Sequence, residues 1–296
     1  LMQATQATIR PRRSVLYVPG SNLRALEKAR TLPADGLIFD LEDSVAPEVK
    51  ETARQNVLRA IEQGGFGKRE LFLRVNGLNT PWGYDDLWAA AQSKADAVVL
   101  PKVDGPEVVK QAVSVLWEAK APEQLSVWCM METARGMLHA ESIANASTRL
   151  GGLVMGTSDL AHELHAAHTP LRLPMLTALG LCLLAARAAG IPILDGVYLD
   201  LADDKGFEAS CQQGMELGFD GKTLIHPRTI EIANRVFAPS NEQVQRAKAI
   251  IVAFEEASAA GKGVVVVEGK LVENLHVENA KRIVKLSEAI ESTKIG

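Results

Sequence analysis

Cysteine is scarce in this chain: Cys129, Cys182 and Cys211 are the three among 296 residues. They are scattered through apolar surroundings, with no CxxC pair and no His spacing suited to zinc. That excludes a disulfide framework and a thiolate metal centre, and reduced core thiols are the expectation. Excess charge of one sign is missing too. A net charge of −4 gives no electrostatic case for nucleic acid or an anionic membrane as partner. Any phosphate-bearing ligand must therefore be held by a local basic cluster. The opening LMQATQATIRPRRS is polar, then basic, and has no apolar signal core. The longest apolar stretch, Leu173 to Gly190, is interrupted by Pro174, Thr177, Gly180 and Arg187, so it reads as a buried helix and not a membrane span. The cytoplasm is the expected compartment.

What is present is ordinary for a soluble globular protein: 47% hydrophobic and 23% charged residues. From Ser14 to Phe237, short apolar runs alternate with longer segments of helical period. The runs include VLYVP (15–19), GLIFDLED (36–43), LFLRVN (71–76), AVVLPKV (97–103), SVWCMME (126–132), GLVMG (152–156), IPILDGVYL (191–199) and KTLIHP (222–227). Between them lie stretches such as KETARQNVLRAIEQ (50–63), apolar at i, i+3, i+4 and i+7. Near-continuous apolar runs separated by helices describe strands buried on both faces of a parallel sheet. Eight such units imply a closed (β/α)₈ barrel, and no GxGxxG follows the first strand to favour an open sheet instead. The reading places the barrel at 12–240 and a C-terminal cap or oligomerisation segment at 241–296. That segment is an alanine-rich helix from Asn241 to Ala260, a hairpin around Glu268-Gly269 and a last helix over roughly Val277–Ser292. No low-complexity linker separates the two, and the sequence gives no reason to cut a second domain.

Most of the runs end in a charged or polar residue: Asp40, Glu42 and Asp43; Arg74 and Asn76; Lys102; Glu132; Asp159; Asp195 and Asp200; His226. In a barrel those ends converge on one mouth, where barrel active sites lie. Glu132 and Asp159, carboxylates on adjacent strands without His or Cys, suit Mg²⁺ or Mn²⁺; ion pairs to Arg74 or Arg135 are the alternative. Arg74 is a fork suited to a substrate carboxylate, or else a partner for Glu42 or Asp43. Arg12, Arg13, Arg24 and Lys28 bracket the first strand and its helix, with Arg24 and Lys28 four apart on one helix face; the cluster could clasp a diphosphate or simply form a solvated face.

Taken in order, RRSVLYVPGSN, GLIFDLEDSV, LRVN, LPKV, METARG, GTSDLA and GKTLIHP resemble the HpcH/HpaI aldolase/citrate lyase β-subunit family. The likeness is greatest to the branch of malyl-CoA and citramalyl-CoA lyases and citrate lyase β subunits, and it spans nearly the whole chain. The resemblance implies Mg²⁺ ligands at Glu132 and Asp159, with Glu42 and Asp43 near the metal's waters. It implies that Arg74 holds the substrate's carboxylate and oxyanion. Tyr17, Arg24 and Lys28 would contact the acyl thioester and coenzyme A, and Ile225 and His226 would bind substrate. Relatives assemble as trimers or hexamers, with the C-terminal segment closing over a neighbour.

Two departures stand out. Many relatives read GKMVDxP in the hairpin, with that Asp in acid–base chemistry; here GKLVENL puts Glu273 in its place and Leu275 in place of Pro. A helical Ala-Arg pair of relatives is Ala178-Leu179 here. The implied activity is cleavage or formation of a β-hydroxyacyl-CoA such as malyl-, citramalyl- or citryl-CoA, giving acyl-CoA and a 2-oxo acid. Arg74 and Glu273 are the expected catalytic residues. Two further readings stay open: a thioesterase using the same site, with the longer Glu273 favouring hydrolysis, and a β subunit working on an acyl-carrier thioester.

Overall fold

The computed structural model describes residues 9–293. Eight parallel strands close into a barrel: β1 (Ser14–Pro19), β2 (Gly36–Asp40), β3 (Glu70–Arg74), β4 (Ala97–Leu100), β5 (Ser126–Met131), β6 (Leu150–Met155), β7 (Ile193–Asp195) and β8 (Gly221–Leu224). Each pairs with its sequence neighbour, and β1 pairs with β8 to complete the ring. Helices fill the crossovers, as parallel pairing requires. This is the expected (β/α)₈ fold.

Side chains alternate along each strand. Val15, Ile38, Phe72, Ala97, Val99, Trp128, Met130, Val154 and Leu194 form a cluster inside the barrel. Their neighbours, among them Leu16, Leu37, Leu73, Val98, Cys129, Leu153 and Ile193, belong to the larger cluster that includes helix residues. Trp128 plugs the interior, edge-on to Phe72 at 5.1 Å between ring centres. It fits because Gly151 and Gly152 lie beside it: a Cβ on either would overlap the indole. At the other end of the strands, away from the mouth, the Arg12 and Glu70 side chains pair at 2.5 Å.

Two segments differ from the sequence reading. The Leu173–Gly190 stretch is a 3₁₀ turn, Leu173–Met175, followed by a helix, Leu176–Ala189, that is not buried all round. Leu181 and Leu184 stand on its open side, 40% and 72% exposed. An apolar run fixes helical length but not which side is covered. The seventh strand is only Ile193–Asp195, far shorter than the run that carries it. Pro192 before it has no N–H for a ladder, and Gly196 after it packs so closely on Thr157 that a Cβ would lie 2.5 Å from its Oγ1.

The chain divides into two compact units, Arg12–Phe237 being the barrel. The C-terminal unit contains a helix, Asn241–Ala259, opened by a capping box of Ser240 and Gln243. A hairpin follows, β9 (Val265–Val267) with β10 (Lys270–Val272), then a helix, Asn274–Thr293. Glu268 and Gly269 carry the two positive φ values, 48° and 74°, that a tight two-residue hairpin turn requires. Among the described residues no helix is long and apolar enough to cross a membrane.

Candidate active site

The strand alternation decides which terminal residues reach the lumen. Asp40 ends β2 two residues after Ile38, Arg74 ends β3 two after Phe72, and Glu132 follows β5 two after Met130. All three therefore turn inward at the C-terminal mouth. Asp195 and Lys222 have the opposite parity. Asp195, fully buried, faces the helix layer, where Lys222 Nζ (2.9 Å) and Arg172 Nη1 (2.6 Å) hold it. It braces the wall and takes no part in the mouth, contrary to what its strand-end position suggested. Asn76 is also a brace: its side-chain amide donates to the Leu41 carbonyl at 2.9 Å and to Asp86 at 2.7 Å.

Arg74 is buried and its fork is engaged. Nε and Nη2 each donate to the Asp40 carboxylate at 2.6 Å, a bidentate pair made possible by the register that sets Asp40 opposite Arg74. Only Nη1 faces the mouth, 3.2 Å from Glu42 and 3.7 Å from Asp43. The guanidinium also lies over the Tyr17 ring, 4.9 Å from its centre. Burial would raise the Asp40 carboxyl, but the Arg74 fork, Ser44 and the Glu42 amide hold it below its ordinary value. Burial pushes the Tyr17 hydroxyl well above its ordinary range, and it donates to Met130 Sδ at 3.4 Å. Arg74 is thus a fixed cation that turns only its Nη1 edge to the mouth, beside Glu42 and Asp43, and not an open fork for a substrate carboxylate.

The segment after β2 is held from below. Lys50 Nζ donates to the carbonyls of Leu41 (2.9 Å) and Glu42 (2.7 Å). Glu42 and Asp43 then meet Lys102 Nζ at 2.7 and 3.3 Å. Lys102 has φ 48°, a left-handed conformation that costs a lysine roughly 1–2 kcal/mol. In return its N–H points at Glu132 Oε1, 2.7 Å away. Burial raises the Glu132 carboxyl to about 7, with that amide acting in the opposite direction. Gly156, which follows β6 and precedes the helix Thr157–Glu163, leaves the room: any Cβ there would overlap the Glu132 side chain. Thr133 caps the next helix by accepting from the Gly136 N–H at 3.0 Å. Asp159 lies in the first turn of the helix Thr157–Glu163, half exposed, with Lys102 Nζ at 3.9 Å from it.

The structure thus brings Tyr17, Glu42, Asp43, Arg74, Glu132 and Asp159 to the barrel mouth. Arg24 and Lys28 are exposed on the helix Leu23–Ala29 that follows β1, and their side chains form no hydrogen bond or ion pair among the described residues. Ile225 and His226 follow β8; His226 Nδ1 accepts the Arg228 N–H at 3.2 Å and caps a short turn. Glu273 belongs to the C-terminal unit, where it is exposed and its N–H donates to His276 Nδ1 at 3.0 Å. The sequence put Asp40 and Lys102 among the strand-end residues at the mouth but assigned neither of them a role in the site. The signal for Asp40 was its parity with Ile38 and the adjacent Arg74; for Lys102 no local pattern announces a positive φ.

The model of the HpcH/HpaI aldolase/citrate lyase family matches residues 13–227. The chain belongs to this family. It is 52% identical over 280 residues to a (3S)-malyl-CoA thioesterase of Cereibacter sphaeroides, covering 95% of this chain and 96% of the relative. It is 37% identical to citrate lyase subunit beta of Escherichia coli strain K12, covering 96% and 95%. A solved structure of CitE from Mycobacterium tuberculosis, in complex with magnesium, acetoacetate and coenzyme A, superposes with a TM-score of 0.75 at 28% identity. That match covers 93% of this chain and 97% of the other.

Whether the mouth of this family member suits a divalent ion is a question of its donors. Glu132 is 3% exposed and, among the described residues, forms no ion pair with Arg74, Arg135 or any other cation. A carboxylate so buried calls for a partner of opposite charge. With Asp159 it offers hard oxygens and no competing soft ligand. Among the described residues no group of three or more His, Cys, Asp or Glu could cage an ion. Two carboxylates with the remaining positions open to water and substrate match the habit of Mg²⁺. The donor set fits.

Proposed function

We propose that this chain is a Mg²⁺-dependent thioesterase acting on a short hydroxyacyl-CoA of the malyl type. What carries the reading is the 52% identity, over nearly the whole of both chains, to a (3S)-malyl-CoA thioesterase, against 37% to a citrate lyase β subunit. Hydrolysis adds water across the C–S bond, giving the hydroxy acid and the free thiol of coenzyme A.

Glu132 and Asp159 would hold the ion, which when bound supplies a Lewis acid and a template for substrate oxygens. The Lys102 N–H fixes the Glu132 carboxylate, and Gly156 leaves it space. Arg74, held by Asp40, presents Nη1 to negative charge developing on the thioester oxygen; a donor fixed in advance costs no reorganisation. Glu42, raised by burial, lies where it could take a proton from an attacking water. Arg24 and Lys28 are the candidates for the coenzyme's phosphates, Tyr17 for the acyl end, and Ile225 and His226 for further substrate contacts. Glu273 is the proposed acid–base group of the C-terminal unit. A homotrimer or hexamer is part of the proposal, supported by Val266 and Leu271, which stand 65% and 53% exposed on a hairpin that is marginal alone.

A second reading, carbon–carbon cleavage to an acyl-CoA and a 2-oxo acid, is favoured by the likeness to citrate lyase subunit beta. Both readings share the metal site. An Asp159→Ala variant should therefore lose Mg²⁺ dependence and fall by at least about 10²-fold in release of free coenzyme A thiol. Parent-like Mg²⁺ dependence in that variant would overturn the ligand assignment.

A further inference from the structure

Lys102 follows β4 at φ 48°, a conformation that glycine adopts without strain. Its main-chain contact with Glu132 would be made equally well by glycine, so the lysine side chain needs a reason of its own. Its ammonium lies 2.7 Å from Glu42, 3.3 Å from Asp43 and 3.9 Å from Asp159. One cation is shared among three carboxylates, and the shortest distances go to the two that the metal reading leaves unused. Strained backbone is retained where its surroundings or its function demand it.

We infer that Lys102 is a positioning residue, an internal cation that keeps Glu42 and Asp43 off the metal, confines the ion to Glu132 and Asp159, and so favours Mg²⁺ over larger divalent ions. The inference rests on the metal reading given above. Mg²⁺ keeps several waters and is satisfied by one or two carboxylates, whereas Ca²⁺ takes six to eight oxygens. Without the ammonium, Asp43 keeps only its 3.7 Å approach to Arg74, and Glu42 its 3.2 Å contact with Arg74 and the Asp43 N–H at 3.0 Å. Both would then be drawn to a divalent ion. Repulsion between the ammonium and an ion beside Asp159 would vanish as well. The two effects act in the same direction, and additional carboxylates favour Ca²⁺ most.

The test is calorimetric titration of MgCl₂ and CaCl₂ into the full-length parent, K102Q and K102G. K102Q keeps the amide and removes the charge; K102G also relieves the backbone. Both variants should bind Ca²⁺ at least about tenfold more tightly than the parent, about 1.4 kcal/mol, with a raised Ca²⁺/Mg²⁺ affinity ratio. A lysine that merely supported the fold would leave the variants with weaker binding. Parent-like or weaker Ca²⁺ affinity in both variants overturns the inference. A parent that binds neither ion overturns the metal reading, and the inference falls with it by that separate route.

Discussion

On the proposed ligand assignment, the carboxyl of Glu132 sets the pH response of metal binding. It is buried, and burial raises it to about 7, so near neutrality the free protein carries a proton there part of the time. A metal ligand must be the carboxylate, and binding therefore expels that proton. The sign follows: below about pH 7 protons compete and Mg²⁺ affinity falls, by up to tenfold per pH unit; above it, affinity levels off. Calorimetry at about pH 6 and about pH 8 should show stronger binding at the higher pH and proton release near pH 7. Equal affinity at the two pH values would mean that Glu132 is not a ligand. At this scale the sequence was readable where a charge interrupts an apolar run, as at Arg74 and Glu132. It was not readable where one charge chooses among several partners. Arg74 could pair with Glu42, Asp43 or substrate from the sequence alone; the β2–β3 register gives its fork to Asp40.

Among the elements, the junction of β6 with the helix Thr157–Glu163 is the one whose sequence bears most directly on the site. Gly156 has φ −104°, so alanine is acceptable to the backbone there, yet its Cβ would overlap Glu132. Gly156→Ala should lower Mg²⁺ affinity at least about tenfold, while overpacking costs roughly 1–3 kcal/mol of stability. Metal titration and denaturant unfolding on the same variant separate the two. Unchanged affinity would show that Glu132 has another productive position. The strands themselves were legible because runs buried on both faces have few alternatives to a parallel sheet. Asp195 was misplaced among the mouth residues because strand ends were counted without parity. Two positions after Ile193 it must face the helices, as its contacts with Lys222 and Arg172 show. The open side of the helix Leu176–Ala189 was illegible for a different reason: leucine at every face gives no amphipathic signal.

Over the whole molecule, the order of motifs identified the family, since they fall in turn on β1 to β6 and on β8 or on the turns just after these strands. The hairpin was legible from its valines and from Glu268-Gly269, which take the positive φ values the turn needs. The reaction is a finer matter. Lyase and thioesterase readings use the same metal ligands and the same arginine, and they differ in which bond breaks. Product analysis of malyl-CoA turned over by the full-length protein with Mg²⁺ in ¹⁸O-labelled water tests this most directly. Mass spectrometry should find malate with one ¹⁸O in its new carboxylate and free coenzyme A, formed together and lost together on chelation of the metal. Acetyl-CoA and glyoxylate, without labelled malate, would contradict the thioesterase account and establish carbon–carbon cleavage instead.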